Sequence, residues 1–364
     1  MSNYPPKTLG ILGGGQLGRM SALAAANLGI KVHIFCPEPD CPASQVSAKT
    51  FTAPYDDKKA LKEFAESVDV ISYEFENIPV ETVKYLQSIK PVLPDERLLE
   101  VSQHRLTEKK FLNDIGIPTA RWAPANTAQD IKNTLKDWNA SSVILKTTRF
   151  GYDGKGQAKL KSSGDIDKVW DELGGQELII EEIIDFACEI SIVIARDKIS
   201  QTACYTPVLN EHENHILSKT TAPAPLPQEM AEEAKKLAEL LAGAVDLVGV
   251  LAIEFFVTKD GKLLANEIAP RTHNSGHWTM NACHCSQFEQ HVRTVCGMPI
   301  GHPDRHSNAV MINLIGDDVR KLDQYHEMKN ACVHLYGKAT IKAGRKMGHV
   351  NILHPKEKYA AIEG

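Results

Sequence analysis

Glu254 and Glu267 stand on two apolar segments, 250–257 and 262–268, that flank Asp260-Gly261. A two-residue turn there sets Lys259 against Lys262 and Glu254 directly opposite Glu267. Facing carboxylates repel each other. A divalent cation between them converts that cost into a ligand set, and hard oxygen ligands suit Mg²⁺ held jointly with nucleotide phosphates. The reading depends on register, because one extra loop residue breaks it. Two acids on a solvated face is the competing reading, weakened by the apolar neighbours Ile253, Phe255, Leu264 and Ile268. Directly after the second segment, Arg271, His273, Asn274, Ser275 and His277 follow in one run. So many hydrogen-bonding groups leaving one strand end suit a polar or anionic reactant.

Three other stretches carry glycine beside charge. In Arg149-Phe-Gly151-Tyr152-Asp153-Gly154-Lys155-Gly156-Gln157, three glycines let successive amides converge on phosphate oxygens. Lys155 and the strand residue Lys146 add positive charge, and such a loop can close as a lid. It is not a P-loop, since Gln157 follows Gly156 and the loop joins two strands. A mobile hairpin loop without a ligand is the plain alternative. Gly13-Gly14-Gly15-Gln16-Leu17-Gly18 fits the dinucleotide pattern between a strand and a helix. Cys36-Pro37, however, ends the next strand, where a nicotinamide site wants an acid. Its amides still suit a phosphate or polar ligand, or serve only a tight turn. Near the C-terminus Lys338, Lys342, Arg345, Lys346 and His349 alternate with Gly337, Gly344 and Gly348, as an anion cradle or a solvated edge.

The elements that must position these residues read in two styles. Up to about residue 100, strands at 8–12, 31–36 and 68–75 alternate with helices at 19–28 and 57–67, which argues a parallel sheet with helices on its faces. A helix with Ser102 near its start leads out. Strands then follow at 142–148, 157–160, 178–184 and 190–195, and Met230, Ala234, Leu237, Leu241 and Val245 mark an amphipathic helix. Ser286 and Glu289 form a capping box for a helix to Cys296, and the last sixty residues read as a small β-rich unit.

At 364 residues the chain suggests two or three domains. Forty-one basic against 46 acidic residues advertise no nucleic-acid surface. The longest apolar stretch, 240–257, is broken by Asp246, Gly249 and Glu254, so no membrane span is expected. Eight scattered cysteines without a secretory layout read as reduced thiols of a cytoplasmic protein. Cys283-His-Cys285 is too closely spaced for a usual zinc pair.

Taken together, the motifs at 14–20, 73–77, 151–157, 266–277 and 344–349 resemble the ATP-grasp superfamily and, within it, the carboxyaminoimidazole ribonucleotide synthases. The resemblance spans nearly the whole chain. It implies an α/β and α+β chain: an N-terminal Rossmann-like pre-ATP-grasp domain over 1–104, an ATP-grasp domain over 105–298 with a lid lobe at about 118–184, and a small β-rich C-terminal domain over 299–364. It implies a ligase that uses ATP and bicarbonate, with Mg²⁺ or Mn²⁺ and without biotin, to carboxylate 5-aminoimidazole ribonucleotide. A homodimer is implied too, with neither nucleic acid nor membrane as a partner.

Carried onto this sequence, the ATP contacts are Arg105, Lys146, Gly151, Tyr152, Asp153, Gly154, Lys155, Gly156, Gln157, Glu181, Glu182, Ile183, Ile184, Glu189, His212, Asn266 and Glu267. The 181–184 link would hold adenine through its backbone. Glu254 and Glu267 are the implied metal ligands, and Gln16, Leu17, Glu76, His273, Asn274, Lys338, Arg345 and Lys346 line the ribonucleotide site. Arg271 is the expected stabiliser of a carboxyphosphate intermediate, with Asp153 and His273 handling the proton of the amine. Three rival readings stay open: a formate-dependent glycinamide ribonucleotide transformylase, a nicotinamide-dependent oxidoreductase, and a non-catalytic nucleotide-binding module. The transformylase lid reads more like Ser-Gly-Lys-Gly-Gln than Gly-Tyr-Asp-Gly-Lys-Gly-Gln.

Overall fold

The computed structural model describes residues 7–151 and 154–356, so Tyr152 and Asp153 lie outside the described residues. The chain opens with β1 (Thr8–Leu12), α1 (Gln16–Asn27), β2 (Lys31–Cys36), β3 (Lys49–Thr52), α2 (Lys58–Glu66), β4 (Val70–Tyr73), α3 (Val80–Gln87) and α4 (Glu96–Ser102). The strands lie in the order β3-β2-β1-β4 and all run parallel. Both faces are covered, which is why β1 and β2 are so apolar. Ala22 and Ala25 of α1 pack with Leu9, Ile11, Val32 and Ile34, while Leu61 and Phe64 of α2 pack with Leu12 and Phe35 on the other side. Asp57 caps α2 by accepting from the amides of Lys59 and Ala60, each at 3.0 Å. Ser102, expected near a helix start, instead ends α4.

The next unit comprises α5 (Arg105–Asp114), β5 (Trp122–Ala125), α6 (Ala128–Trp138), β6 (Val143–Thr147), β7 (Gln157–Leu160), α7 (Ile166–Glu172) and β8 (Leu178–Glu181). Its strands form an antiparallel sheet, β5-β8-β6-β7, and Ile131, Leu135, Ile166 and Val169 of the two helices close its core.

The rest runs β9 (Phe186–Arg196), β10 (Thr202–Cys204), β11 (Val208–Glu213), β12 (Ile216–Ala222), α8 (Gln228–Ala244), β13 (Gly249–Thr258), β14 (Leu263–Ala269), α9 (Thr279–Ala282), α10 (Gln287–Cys296), β15 (Asn308–Ile315), α11 (Leu322–His326), β16 (Ala331–Leu335) and β17 (Lys346–His354). These strands build one nine-stranded sheet, β14-β13-β9-β11-β12-β15-β17-β16, with β10 on β9. The C-terminal strands therefore continue the central sheet rather than standing apart, because β15 pairs with β12 along residues 219–222. That pairing covers an edge that would otherwise leave backbone groups open. α8 turns Ala234, Ala238, Leu241 and Ala242 to the core, as its spacing requires. α10 keeps half of its expected capping box: Ser286 Oγ accepts from the Glu289 amide at 3.2 Å, but the Glu289 carboxylate turns to Arg293. All eight cysteines are free.

Candidate active site

Glu254 and Glu267 do face each other across β13 and β14, but by a different route from a two-residue turn. The Thr258 amide donates to the Lys262 carbonyl at 2.9 Å and the Gly261 amide to the Thr258 carbonyl at 3.0 Å. The loop is therefore three residues, Lys259 to Gly261, with Gly261 at φ 80°. Such a loop wants a glycine in the left-handed region at its last position. Thr258, not Lys259, faces Lys262. From there Val257 pairs with Leu263, Phe256 with Leu264 and Phe255 with Ala265. Continued unbroken, that register would put Glu254 against Asn266. A bulge at Asn266 shifts it by one and returns Glu267 to its place opposite Glu254.

Helix α5 holds the bulge. The Lys109 ammonium, only 1% exposed, donates to the carbonyl of Asn266 at 2.7 Å and to that of Ala265 at 3.3 Å. Glu108 accepts from the Ile268 amide at 2.6 Å, so the two side chains clamp β14 on either side of Glu267. Burial pushes the Glu108 carboxyl up to about 7 against the pull of Lys109. Lys109 also lies 3.4 Å from Glu181 Oε1, whose other oxygen is 2.5 Å from Lys146 Nζ. Burial opposes charge on Glu181, but the two lysines hold its carboxyl at about 2. Neither Glu108 nor Lys109 was among the expected site residues. Their signal was present: Arg105, Glu108, Lys109 and Leu112 share one helical face, which places charge where a core is needed.

Burial, then Glu267 and Glu189, push the Glu254 carboxyl well above the usual range. Asn266 Oδ1 beside it is buried with no hydrogen-bond partner. Two facing carboxylates and an unsatisfied amide oxygen make an incomplete hard-oxygen set of the kind that Mg²⁺ completes with phosphate and water. The residues fit that ion. Among the described residues, no three His, Cys, Asp or Glu side chains form a metal cage by themselves.

These groups open into one cleft of about 530 Å³, ample for a nucleotide. At one end lie Arg105, Lys146, Gly151, Gly154, Lys155 and Gln157, with the link residues Glu182, Ile183 and Ile184. Phe186 and Phe256, stacked at 4.8 Å, wall this end and were not anticipated. Glu189 and His212 complete it, with His212 Nδ1 3.3 Å from Glu189 Oε2. Gly154 packs on His215: a Cβ at Gly154 would lie 2.6 Å from the His215 Cβ.

At the other end lie Gln16, Leu17, Glu76, Arg271, His273, Asn274 and Lys346, with Glu254, Asn266 and Glu267 between the two. The Arg271 Nε donates to Glu76 Oε2 in a short ion pair. Burial opposes charge on both, and their mutual attraction outweighs it. Burial, reinforced by Arg271 and Lys346, pushes the His273 ring well below the ordinary imidazole range. Both side-chain amide atoms of Asn274 are buried without partners.

Among the described residues, four expected ones do not line the cleft. Glu181 lies beneath it as the counter-ion of Lys146 and Lys109. Gly156 packs on Thr147, where a Cβ would come within 2.5 Å of its hydroxyl. Lys338 donates to the Lys346 carbonyl at 2.7 Å, and Arg345 donates to Thr340 O and Oγ1 at 3.0 and 2.9 Å. The first glycine loop also departs from expectation. The Glu74 carboxylate takes the Gly15 and Gly18 amides at 2.7 and 3.2 Å, so a side chain of the protein occupies the place of a phosphate.

Comparison with known proteins fits this geometry. Family models match for the Ribonucleotide synthetase preATP-grasp domain over 6–103, the ATP-grasp domain over 110–288 and the Phosphoribosylaminoimidazole carboxylase C-terminal domain over 309–362. The chain is 48% identical to the N5-carboxyaminoimidazole ribonucleotide synthase of Brucella melitensis biotype 1, covering 97% of this chain and 98% of that one. The same enzyme of Bacillus subtilis is 39% identical, with 97% and 93% covered. Among solved structures, the ADP complex of an N5-carboxyaminoimidazole ribonucleotide synthetase superposes with a TM-score of 0.93 at 39% identity, covering 98% and 95% of the two chains. An Aspergillus clavatus N5-carboxyaminoimidazole synthase with ADP and 5-aminoimidazole ribonucleotide gives 0.91 at 28% identity, covering 98% and 96%. On residues, fold and likeness alike, the chain belongs to the N5-carboxyaminoimidazole ribonucleotide synthase family of ATP-grasp ligases.

Proposed function

We propose that this chain joins bicarbonate to the exocyclic amine of 5-aminoimidazole ribonucleotide at the expense of ATP, in purine biosynthesis. The products are N5-carboxyaminoimidazole ribonucleotide, ADP and phosphate. The observation that supports the reading is the continuity of the cleft: the glycine-loop residues with Arg105 and Lys146, and the run Arg271, His273 and Asn274, line one cavity with the Glu254–Glu267 pair.

ATP lies with its base against Phe256 and Ile184 and its phosphates under the glycine lid, where Arg105, Lys146 and Lys155 offset their charge. Glu254 and Glu267, with Asn266 alongside, would hold Mg²⁺, which when bound supplies neutralising charge to the phosphate oxygens. A bicarbonate oxygen attacks the γ-phosphorus and ADP leaves, giving carboxyphosphate. Arg271, steadied by Glu76, faces the new anion. Lid closure excludes water that would hydrolyse it. The ribonucleotide amine then attacks the carbon, or the CO₂ released from it, and phosphate departs. Asn274 and Lys346 offer the polar contacts for the ribonucleotide, with Gln16, Leu17 and Glu76 on the facing wall. Asp153 stays a candidate for the amine proton from the lid.

The enzyme acts in the cytoplasm as a homodimer, and small molecules are its only substrates. Among the described residues no helix is long and apolar enough to cross a membrane.

An ADP-release assay separates the readings. Release should require ATP, bicarbonate and 5-aminoimidazole ribonucleotide together, above a small bicarbonate-only background. Release driven instead by formate and glycinamide ribonucleotide would transfer the chain to the transformylase reading.

A further inference from the structure

Both ring nitrogens of His273 have defined surroundings. Nε2 lies toward the cleft, 3.6 Å from Glu254 Oε1. Nδ1 accepts from the Ser275 amide at 3.4 Å and lies 2.8 Å from Ser275 Oγ. A backbone amide can only donate. Nδ1 is therefore an acceptor, and the ring carries its proton on Nε2. An imidazolium, or the other tautomer, would set an N–H against the Ser275 amide.

Behind Ser275 runs a chain of polar side chains inside the protein. Ser191 Oγ is 2.6 Å from Ser275 Oγ, Asn210 Nδ2 is 2.9 Å from Ser191 Oγ, and Thr220 Oγ1 is 3.0 Å from Asn210 Oδ1. Ser275, Ser191 and Thr220 are fully buried, and Asn210 is 5% exposed. Strand register places them together: Ser191 on β9 is the cross-strand partner of Glu254, and Asn210 on β11 is that of Thr220. A buried chain of this kind is satisfied when its donors all point one way. Since Nδ1 accepts, the direction is Thr220 to Asn210 to Ser191 to Ser275 to His273. None of these four residues lines the cleft.

We infer that Ser275, Ser191, Asn210 and Thr220 are positioning residues that hold His273 in its Nε2–H tautomer, as a hydrogen-bond donor into the cleft. His273 then offers a proton to an oxygen of the reacting anion, rather than a lone pair to the amine proton. The kinetic consequence rests on the proposed function; the tautomer does not.

The test uses the full chain labelled with ¹⁵N-histidine, the His273 ring signals being assigned by their loss in His273→Gln. The wild-type spectrum should show a protonated Nε2 and a bare Nδ1. Ser191→Ala should give mixed tautomers and lower kcat about tenfold, with the KM for ATP held within about twofold. Ser191→Cys, a weak donor, should recover part of both. A wild-type proton on Nδ1 overturns the inference without any variant. A Ser191→Ala spectrum and kcat both like wild type overturn it as well, and Ser275→Ala stands in if Ser191→Ala does not fold. Mixed tautomers with unchanged kcat would refute the link to the reaction alone.

Discussion

Glu267→Gln should lose on the order of 10²- to 10³-fold in kcat while the ligand-free protein melts where the parent does. The loss follows from the site: neutralising one of two facing carboxylates removes half the anionic ligand set, and metal charge stabilisation is worth several kcal/mol. The retained stability follows from the same pair. Glu254 is pushed up by burial and by Glu267, so negative charge on the two carboxylates is mutually opposed. Deleting one relieves that repulsion. The ion pair given up, Arg105 to Glu267 at 3.7 Å with a half-exposed carboxylate, is worth only about 0–1 kcal/mol. Steady-state kinetics across a Mg²⁺ titration, beside a thermal melt, checks both halves. Near-normal turnover at ordinary Mg²⁺ would remove Glu267 from the metal site.

Lys346→Ala should raise the KM for 5-aminoimidazole ribonucleotide ~10- to 150-fold and leave the KM for ATP nearly unchanged. Of Lys338, Lys342, Arg345, Lys346 and His349, Lys346 is the one that lines the cleft. Lys338 donates to the Lys346 carbonyl and Arg345 to Thr340, which makes them supports of the loop. Under the proposed function ATP takes Arg105, Lys146 and Lys155, which line the same cleft. Losing one charge-assisted hydrogen bond costs ~1.5–3 kcal/mol, which gives the range stated. Varying each substrate in turn decides the matter. A variant with weakened ATP binding and an unchanged ribonucleotide KM would place Lys346 in the wrong half of the cleft.

How much of this was legible differs from residue to residue. The parallel N-terminal sheet was readable because strand, helix and apolar run recur over short distances, and α8 because its face repeats at helical spacing. The Glu254–Glu267 pair was found through two departures that cancel: the loop is one residue longer than a two-residue turn, and the bulge at Asn266 restores the step. No local pattern announces that bulge, since its cause, Lys109, comes from a distant helix. Glu74 likewise reaches the first glycine loop from another strand end, so the loop's motif could not show that its amides were already taken. The resemblance implies a backbone contact to adenine at Glu181; the role of its side chain as counter-ion to two lysines follows only from their packing in the fold. Sheet membership at the C-terminus was hidden for a related reason, because which edge a strand joins is set by the open edge of β12.

In the proposed reaction a bicarbonate oxygen attacks the γ-phosphate before carbon reaches the amine. Turnover in ¹⁸O-bicarbonate tests it most directly, with the released phosphate analysed by mass spectrometry. The attacking oxygen becomes the bridge between carbon and phosphorus, and it stays on phosphorus when the carbon leaves. One labelled oxygen in the phosphate for each ribonucleotide carboxylated is the predicted result. Unlabelled phosphate formed alongside carboxylated product would rule out that order of steps.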